Sequence, residues 1–475
     1  MAESNADQRA FFDGIALTDD VWRQRHHAYY DEQTALLRRL IDPGLRVLEL
    51  GCGTGDTLAA LQPATGVGVD LSAAMIQRAR TKHPHLRFEE MDAEQLDLGG
   101  QTFDVVLLAD LVGELRDLWA AFRALRGVVQ ERTRVVITYI NYLWAPLLEL
   151  ATALGLKRPQ LLQNWFSLAD IENLLALNGF ETVATGDRLL LPLPIPGLAP
   201  LCNRGLAALP GVHRLNLLQY LVARPGAGFD VQPQPLSCSV VVPARNERGN
   251  IRPAIRRTPR MGPQTELIFV EGNSSDGTRE EILAAIADEP SPCRLRFVPQ
   301  LGRGKGDAVR TGFAAAEGDV LLILDADLTV IPEDLPRFYL ALAEGRGELI
   351  NGCRLVYQQE DQAMRFLNLV ANKMFGVAFS YVLDQRIKDT LCGTKVLRRS
   401  DYLRIEQNRH LFGDTDPFGD FDLLFGAARL GLRMVEIPVR YRARAYGATQ
   451  IHRFRNGLQL AYMLGVAVHR FKLMR

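Results

Sequence analysis

Two glycine-rich turns and one close pair of carboxylates are the residues in this 475-residue chain best suited to chemistry. Gly51-Cys52-Gly53-Thr54-Gly55 follows the apolar run at residues 46–50 and precedes a helical stretch at residues 56–61. Glycines at such a junction let the backbone turn sharply and come close to a ligand at a helix N-terminus. Glu49 stands just before the loop. Asp70 ends the next apolar strand, residues 67–70, where a carboxylate can grip ribose hydroxyls. Asp92 and Ala93 follow a third strand at residues 86–89, and Asp110 lies past a fourth at residues 103–108. The last position of a dinucleotide-type G-x-G-x-x-G is Asp56 here, which argues against a nicotinamide cofactor.

The second half repeats the strand-then-loop logic with different chemistry. The strand Ser239-Val-Val-Val-Pro243 leads into Ala244-Arg245-Asn246-Glu247, and the strand at residues 266–270 leads into Glu271-Gly-Asn-Ser-Ser-Asp276-Gly-Thr278. A third strand precedes Gly302-Arg-Gly-Lys305-Gly-Asp307, and a fourth, residues 320–324, ends in Asp325-Ala326-Asp327. On an extended strand, residues i and i+2 point to one face. The two carboxylates are therefore expected to converge on one hard divalent cation, Mg²⁺ or Mn²⁺, able to hold a diphosphate leaving group. The alternative for Asp276 and Thr278 is simply the start of a helix, since Thr278 to Glu281 matches a capping box.

The first succession of motifs resembles the class I S-adenosylmethionine-dependent methyltransferases over roughly residues 30–185. The resemblance implies that Gly51, Gly53 and Gly55 shape the methionine end of the site beside Glu49. It also implies that Asp70 binds the ribose, that Asp92 with the Ala93 backbone reaches the adenine, and that Asp110 lines the cleft. Methyl transfer from a sulfonium is an in-line displacement that mainly needs positioning, so no base is named. His26, His27, Tyr29 and Tyr30 either cap this site or belong to an ordinary amphipathic helix.

The second succession resembles the family-2 inverting glycosyltransferases of GT-A fold, and is most similar to the dolichol-phosphate mannosyltransferase-like enzymes, over about residues 237–455. The resemblance implies that Pro243, Ala244, Asn246, Glu247 and Asp276 contact the nucleoside of a UDP- or GDP-sugar, with Lys305 or Asp307 bordering the pocket. It implies that Asp325 and Asp327 take the metal and the diphosphate. The chain has Glu271-Gly272-Asn273 where the family often opens its second loop with two acids, and Thr329 where lipid-linked members often have Gln. Arg444, Gly447 and Thr449 match an R-x-x-G-x-S-K element of the lipid-phosphate enzymes, with Gln450 in place of the lysine.

Two acceptors remain open. A sugar or lipid hydroxyl needs a general base, for which Asp420 is the candidate. A polyprenyl phosphate is already anionic and needs cations instead, for which Arg354, Lys395, Arg442, Arg444 and Arg453 are candidates. A third possibility is that one half is an inactive binding or scaffold module.

These motifs require two α/β domains, each a doubly wound sheet covered by helices: a Rossmann-like methyltransferase fold followed by a GT-A nucleotide-sugar fold. The expected division is residues 1–223, a Pro- and Gly-rich linker at 224–236, and residues 237–475, with the apolar stretch at 201–223 read as helical. Lys+Arg and Asp+Glu balance at 55 each, which argues against a nucleic-acid-coating protein. None of the six cysteines forms a C-x-x-C pair, and residues 1–10 do not resemble a signal peptide, so a cytoplasmic location is expected. An apolar tract with basic flanks near the C-terminus suggests either peripheral contact with the cytoplasmic membrane face or a core helix.

Overall fold

The computed structural model describes residues 5–158, 160–161, 163–357, 366–409, 419–442, 444, 446 and 453–473. The chain divides into two compact units, Met1–Val231 and Gln232–Arg475.

The first unit is built on one seven-stranded sheet. Its strands are β1 (Arg46–Leu50), β2 (Thr65–Asp70), β3 (Arg87–Glu90), β4 (Val105–Ala109), β5 (Arg134–Ile140), β6 (Phe180–Arg188) and β7 (Leu218–Pro225). They lie in the order β3-β2-β1-β4-β5-β7-β6, with β7 antiparallel to both of its neighbours and the first five strands parallel. Helices cover both faces of such a sheet, which is why β1, β4 and β5 read as near-continuous Val, Leu and Ile. Val47, Leu48, Val105, Val106, Leu107 and Val136 are fully buried. The order reverses direction between β1 and β4, and a crevice opens beyond their carboxyl ends.

The stretch at 201–223 is not one helix. It holds short irregular helical turns, a π turn at Leu201–Gly205 and 3₁₀ turns at Leu206–Ala208 and Val212–Leu215, and then β7. Gly205, Pro210 and Gly211 interrupt any regular helix, and the run from Leu218 pairs along its length with β5 and β6. Strand β7 ends at Pro225, so the first two residues of the Pro- and Gly-rich stretch belong to the sheet.

The second unit carries β8 (Cys238–Ala244), β9 (Thr265–Glu271), β10 (Arg294–Pro299), β11 (Val320–Ile323), β12 (Leu349–Cys353), β13 (Lys395–Arg398) and β14 (Met434–Pro438). The order is β10-β9-β8-β11-β13-β12-β14, with β13 antiparallel to β11 and β12. Again the switch falls between the first strand of the unit and the fourth. The core beneath it includes Val241, Ile268, Leu321, Phe313, Phe379, Phe421 and Phe425.

The C-terminal helix Arg453–Val468 packs one face into the core. Leu460, Met463 and Ala467 are buried in that core, whereas Leu458 and Tyr462 are 75% and 57% exposed. Among the described residues no helix is long and apolar enough to cross a membrane. All six cysteines are free, and all but Cys202 are buried.

Candidate functional sites

In the first unit the glycine loop turns as its sequence demands. Gly51, Gly53 and Gly55 have φ of +66°, +51° and +81°, a region that favours glycine. The three differ in what they face. A Cβ on Gly55 would press on the Phe88 ring at 2.6 Å and one on Gly51 would strike Leu111, whereas one on Gly53 would enter open space. Gly51 and Gly55 thus serve close packing, and Gly53 is the backbone that a ligand can approach.

Asp70 pins this loop. One carboxylate oxygen accepts from Gly53 N at 2.9 Å and the other from Ser72 N at 2.9 Å. Burial pushes its carboxyl up to about 6 against those two hydrogen bonds. Glu49 is 2% exposed, and its Oε2 has no hydrogen-bond partner. Burial pushes its carboxyl up to about 8, opposed by Arg23 and a Leu58 backbone bond. Asp110 follows β4 with φ +56° and accepts from Tyr29 Oη at 2.9 Å and from Gln33 Nε2 at 2.8 Å. Gln33 also donates to Thr138 Oγ1 on β5 at 3.0 Å. Burial raises the Asp110 carboxyl to about 6. Asp92 caps the short turn Ala93–Gln95 through the Glu94 N–H at 2.9 Å and accepts from Asn5 at 2.7 Å.

All eight residues anticipated for this site, except Gly55, line one cavity at the carboxyl ends of β1, β2 and β4. Its other wall went unread in the sequence. Gln8 and Phe12 from helix Asn5–Ile15, Arg23 from Asp19–Arg25, and Tyr30 from His27–Leu40 close over it. Of the four residues considered as caps, Tyr30 lines the cavity and Tyr29 orients Asp110, while His26 and His27 do not reach it. Glu94 and Glu114 also line it, each carboxyl raised by burial, and Gln160 donates to Glu114 at 3.0 Å. The wall is rich in carboxylates, with Arg23 and Arg158 as its cations.

In the second unit the paired acids do not sit on an extended strand. Strand β11 ends at Ile323, and Asp325 and Asp327 occupy the turn beyond, which closes with Leu328 at φ +52°. Alternation along a strand therefore does not make them converge, and each is held by its own cation. Lys305 Nζ stands 2.6 Å from Asp325 Oδ1, and Arg444 Nη2 donates to Asp327 Oδ2 at 2.6 Å. Thr329 donates its N–H and hydroxyl to the other Asp327 oxygen, at 3.1 and 2.8 Å. Burial opposes charge on Lys305, but Asp325 and then Asp420 outweigh it and hold the ammonium above its ordinary range. Gly393 leaves the room for this pair, since a Cβ there would overlap both Asp325 and Lys305.

The loops after β8 and β9 interlock. Asn246 has φ +57° and accepts from Ser275 N at 2.8 Å. Glu247 N donates to Thr278 Oγ1 at 2.9 Å, and Arg444 Nη1 lies 3.5 Å from Glu247 Oε1. Asp276 accepts from Thr278 N at 3.0 Å at the start of helix Thr278–Asp288, and also from Arg248 N at 3.2 Å, so it both opens that helix and joins it to the loop after β8. Pro243 and Ala244 end β8. Asp307 instead ties its own loop, accepting from Gln300 at 2.8 Å and Gly302 N at 3.1 Å.

Three expectations change. Lys395 is completely buried at the start of β13, and its Nζ donates to Asp420 Oδ1 at 2.8 Å and to the Cys392 carbonyl, so it cannot meet an acceptor at the surface. Asp420 is 4% exposed and held by that lysine, a poor position for a base that must meet a hydroxyl; nor does its side chain cap the helix Phe421–Arg429. Arg354 is drawn inward by Asp389, with bidentate bonds at 2.7 and 2.8 Å. Of the five cations considered for the acceptor, Arg444 is the one that the described residues show beside the Asp327 carboxylate. Gly447, Thr449 and Gln450 lie outside the described residues, as does the side chain of Arg453.

Comparison with known proteins agrees with this division. Residues 239–405 match the family model described as glycosyl transferase family 2, and residues 21–185 match the model of a methyltransferase domain. The chain therefore carries a methyltransferase domain followed by a family 2 glycosyltransferase domain. Dolichol-phosphate mannosyltransferase of Saccharomyces cerevisiae is 41% identical over 109 residues, which is 22% of this chain and 40% of that protein. Glycosyltransferase AglJ of Haloferax volcanii is 28% identical over 228 residues, 47% of this chain and 70% of its own length. The undecaprenyl-phosphate 4-deoxy-4-formamido-L-arabinose transferase of Serratia proteamaculans is 30% identical over 145 residues, with 29% of this chain matched to 44% of that one. Among solved structures, magnesium protoporphyrin IX methyltransferase of Synechocystis covers 47% of this chain and 99% of its own at 21% identity and TM-score 0.33. Glucosyl-3-phosphoglycerate synthase of Mycobacterium tuberculosis covers 50% and 80% at 20% identity and TM-score 0.37.

Proposed function

We propose that the chain is a bifunctional transferase. Its first domain moves a methyl group from S-adenosylmethionine, and its second moves a sugar from a UDP- or GDP-sugar to a polyprenyl-phosphate-type acceptor with inversion. The observation that carries the choice of acceptor is the state of Asp420, a buried carboxylate held 2.8 Å from a fully buried lysine. A hydroxyl acceptor would need a free base. A phosphate acceptor is already ionised, and its oxygen attacks the anomeric carbon directly while the bond from that carbon to the nucleoside diphosphate breaks. The names of the yeast and Serratia relatives, both transferases of lipid phosphates, support the same choice.

The residues present fit the groups this reading requires. In the first domain the open face of Gly53, the Glu49 oxygen without a partner and the Asp70 carboxylate surround a cavity suited to a ligand with a cationic amino acid end and a ribose. When bound there, S-adenosylmethionine supplies an activated methyl group; the chain's task is to hold it and exclude water. In the second domain Asp325 and Asp327 offer hard oxygen donors, and among the described residues no third His, Cys, Asp or Glu joins them to complete a metal site. A Mg²⁺ or Mn²⁺ ion held there would draw its remaining donors from the diphosphate and water, and would offset charge on the leaving group. Lys305 and Arg444, already within 2.6 Å of the two carboxylates, would turn to the phosphate oxygens.

The test is incubation of the full chain with labelled UDP- and GDP-sugars, Mg²⁺ or Mn²⁺, and either polyprenyl phosphate or a panel of sugar and lipid alcohols, with products weighed by mass spectrometry. A lipid-phosphate-linked sugar is expected. Transfer only to an alcohol, abolished in Asp420→Asn, would replace this reading with the hydroxyl mechanism.

A further inference from the structure

Helix Ala145–Ala153 of the first unit has the sequence APLLELATA, yet none of its residues is buried. Leu147, Leu150 and Leu154 are 59%, 57% and 64% exposed. A short helix this apolar gains little from standing in water, because most helical stability comes from packing an apolar face. The same unit carries a second exposed apolar segment. Ile195, Leu198 and Leu201 are also exposed, in the irregular stretch between β6 and β7. The base of the helix is tied to the end of that irregular stretch: Trp144 Nε1 donates to the Leu215 carbonyl at 2.7 Å, and Asn141 Nδ2 donates to the carbonyls of Arg214 and Asn216, both at 2.9 Å.

Charge distinguishes this patch from an ordinary protein-binding face. No Asp or Glu occurs between Asp187 and Asp230, while Arg204 and Arg214 do; His213 and Arg224 are taken up by Asp187 and Glu181. Around the helix, Glu149 is the one acid from Asn141 to Leu168, and Lys157 follows it. Exposed leucines with a basic, acid-poor surround, flanked by Tyr142 and Trp144, suit the headgroup region of an anionic bilayer.

Position gives the patch a use. It begins at Asn141, directly after β5, and β5 is the parallel neighbour of β4, whose end carries Asp110 at the cofactor cavity. We propose that this face of the methyltransferase unit docks on an anionic lipid surface, so that the cavity meets acceptors held at the membrane. The proposal stands independently of the sugar-transfer reading and of the C-terminal helix, which belongs to the other unit.

The experiment uses the full chain with phosphatidylcholine vesicles containing or lacking phosphatidylglycerol. Local contact is read by hydrogen exchange, and binding by flotation. The expected result is slowed exchange in residues 145–154 and 195–215 only with the anionic vesicles, weakened by high salt. Leu147→Glu/Leu150→Glu/Leu154→Glu should abolish that protection and lower flotation about tenfold, while S-adenosylmethionine binding and the melting temperature stay unchanged. A Leu458→Glu/Tyr462→Glu variant, altered in the other unit, should keep it. Unprotected segments in a chain that floats would overturn the proposal, as would failure to float at all. Protection that rises with protein concentration without vesicles would assign the patch to a second copy of the chain and also overturn it.

Discussion

Titration of Glu49 should govern cofactor binding in the first domain. The side chain is enclosed at the end of β1 with one oxygen lacking a partner, and burial lifts its carboxyl to about 8. Arg23 opposes that shift, while Asp70 and Asp56 add to it. The folded value lies above the unfolded one, so between the ordinary carboxylate range and pH 8 the ligand-free fold holds a proton that the unfolded chain releases. Stability of the free domain therefore falls as pH rises through that window and levels off above it. The span is about 3.5 pH units at 1.36 kcal/mol each, which sets a ceiling of roughly 5 kcal/mol. A ligand bringing a sulfonium or ammonium cation to this pocket favours the ionised form. At pH 7 binding should then expel close to one proton, and affinity for S-adenosylmethionine should rise severalfold per pH unit from 6 to 8. Calorimetry in two buffers of different ionisation enthalpy counts the protons. Glu49→Gln should remove most of the release and flatten the profile, leaving smaller contributions from Asp70 and Asp110, each raised to about 6. Equal proton release by Glu49→Gln and the wild type would refute the assignment.

Two further outcomes follow from the second domain. Gly393→Ala puts a methyl group where Lys305 and Asp325 meet; displacing that pair by about 1 Å should lower sugar transfer on the order of 100-fold without changing S-adenosylmethionine affinity. Lys395→Met strands the buried Asp420 carboxylate, which should cost about 3–5 kcal/mol in urea unfolding of this domain, whereas Lys395→Met/Asp420→Leu should recover much of the loss. Equal stability of the single and double variants would show that the pair is not coupled.

The parts of the site legible in sequence were those fixed by backbone necessity. A glycine that must adopt positive φ at a strand end announces itself, and so does an acid at the end of a parallel strand, as with Gly53 and Asp70. Residues whose role depends on distant packing were not legible. Gln8, Phe12 and Arg23 sit on helices whose amphipathic pattern says that one face is buried but not against what. Lys395 opens a strand and reads as a solvated or ligand-binding cation; only its contact with Asp420, 25 residues away, reveals it as an internal counter-ion. Strand β7 was lost for a related reason. Its apolar run suits either helix or strand, and the choice is made by β5 and β6, which pair on its two sides.

The central claim is that one chain holds two separately addressable transfer sites. The most direct measurement gives the wild type, Gly53→Arg and Asp327→Ala the same mixture of methyl-labelled S-adenosylmethionine, nucleotide-sugar, divalent metal and polyprenyl phosphate. It reads S-adenosylmethionine binding and sugar transfer in parallel. Gly53→Arg places a long side chain in the open face of the cavity and should lose the first activity alone, while Asp327→Ala should lose the second alone. Sugar transfer that persists in Asp327→Ala, or undiminished cofactor binding in Gly53→Arg, would contradict the account.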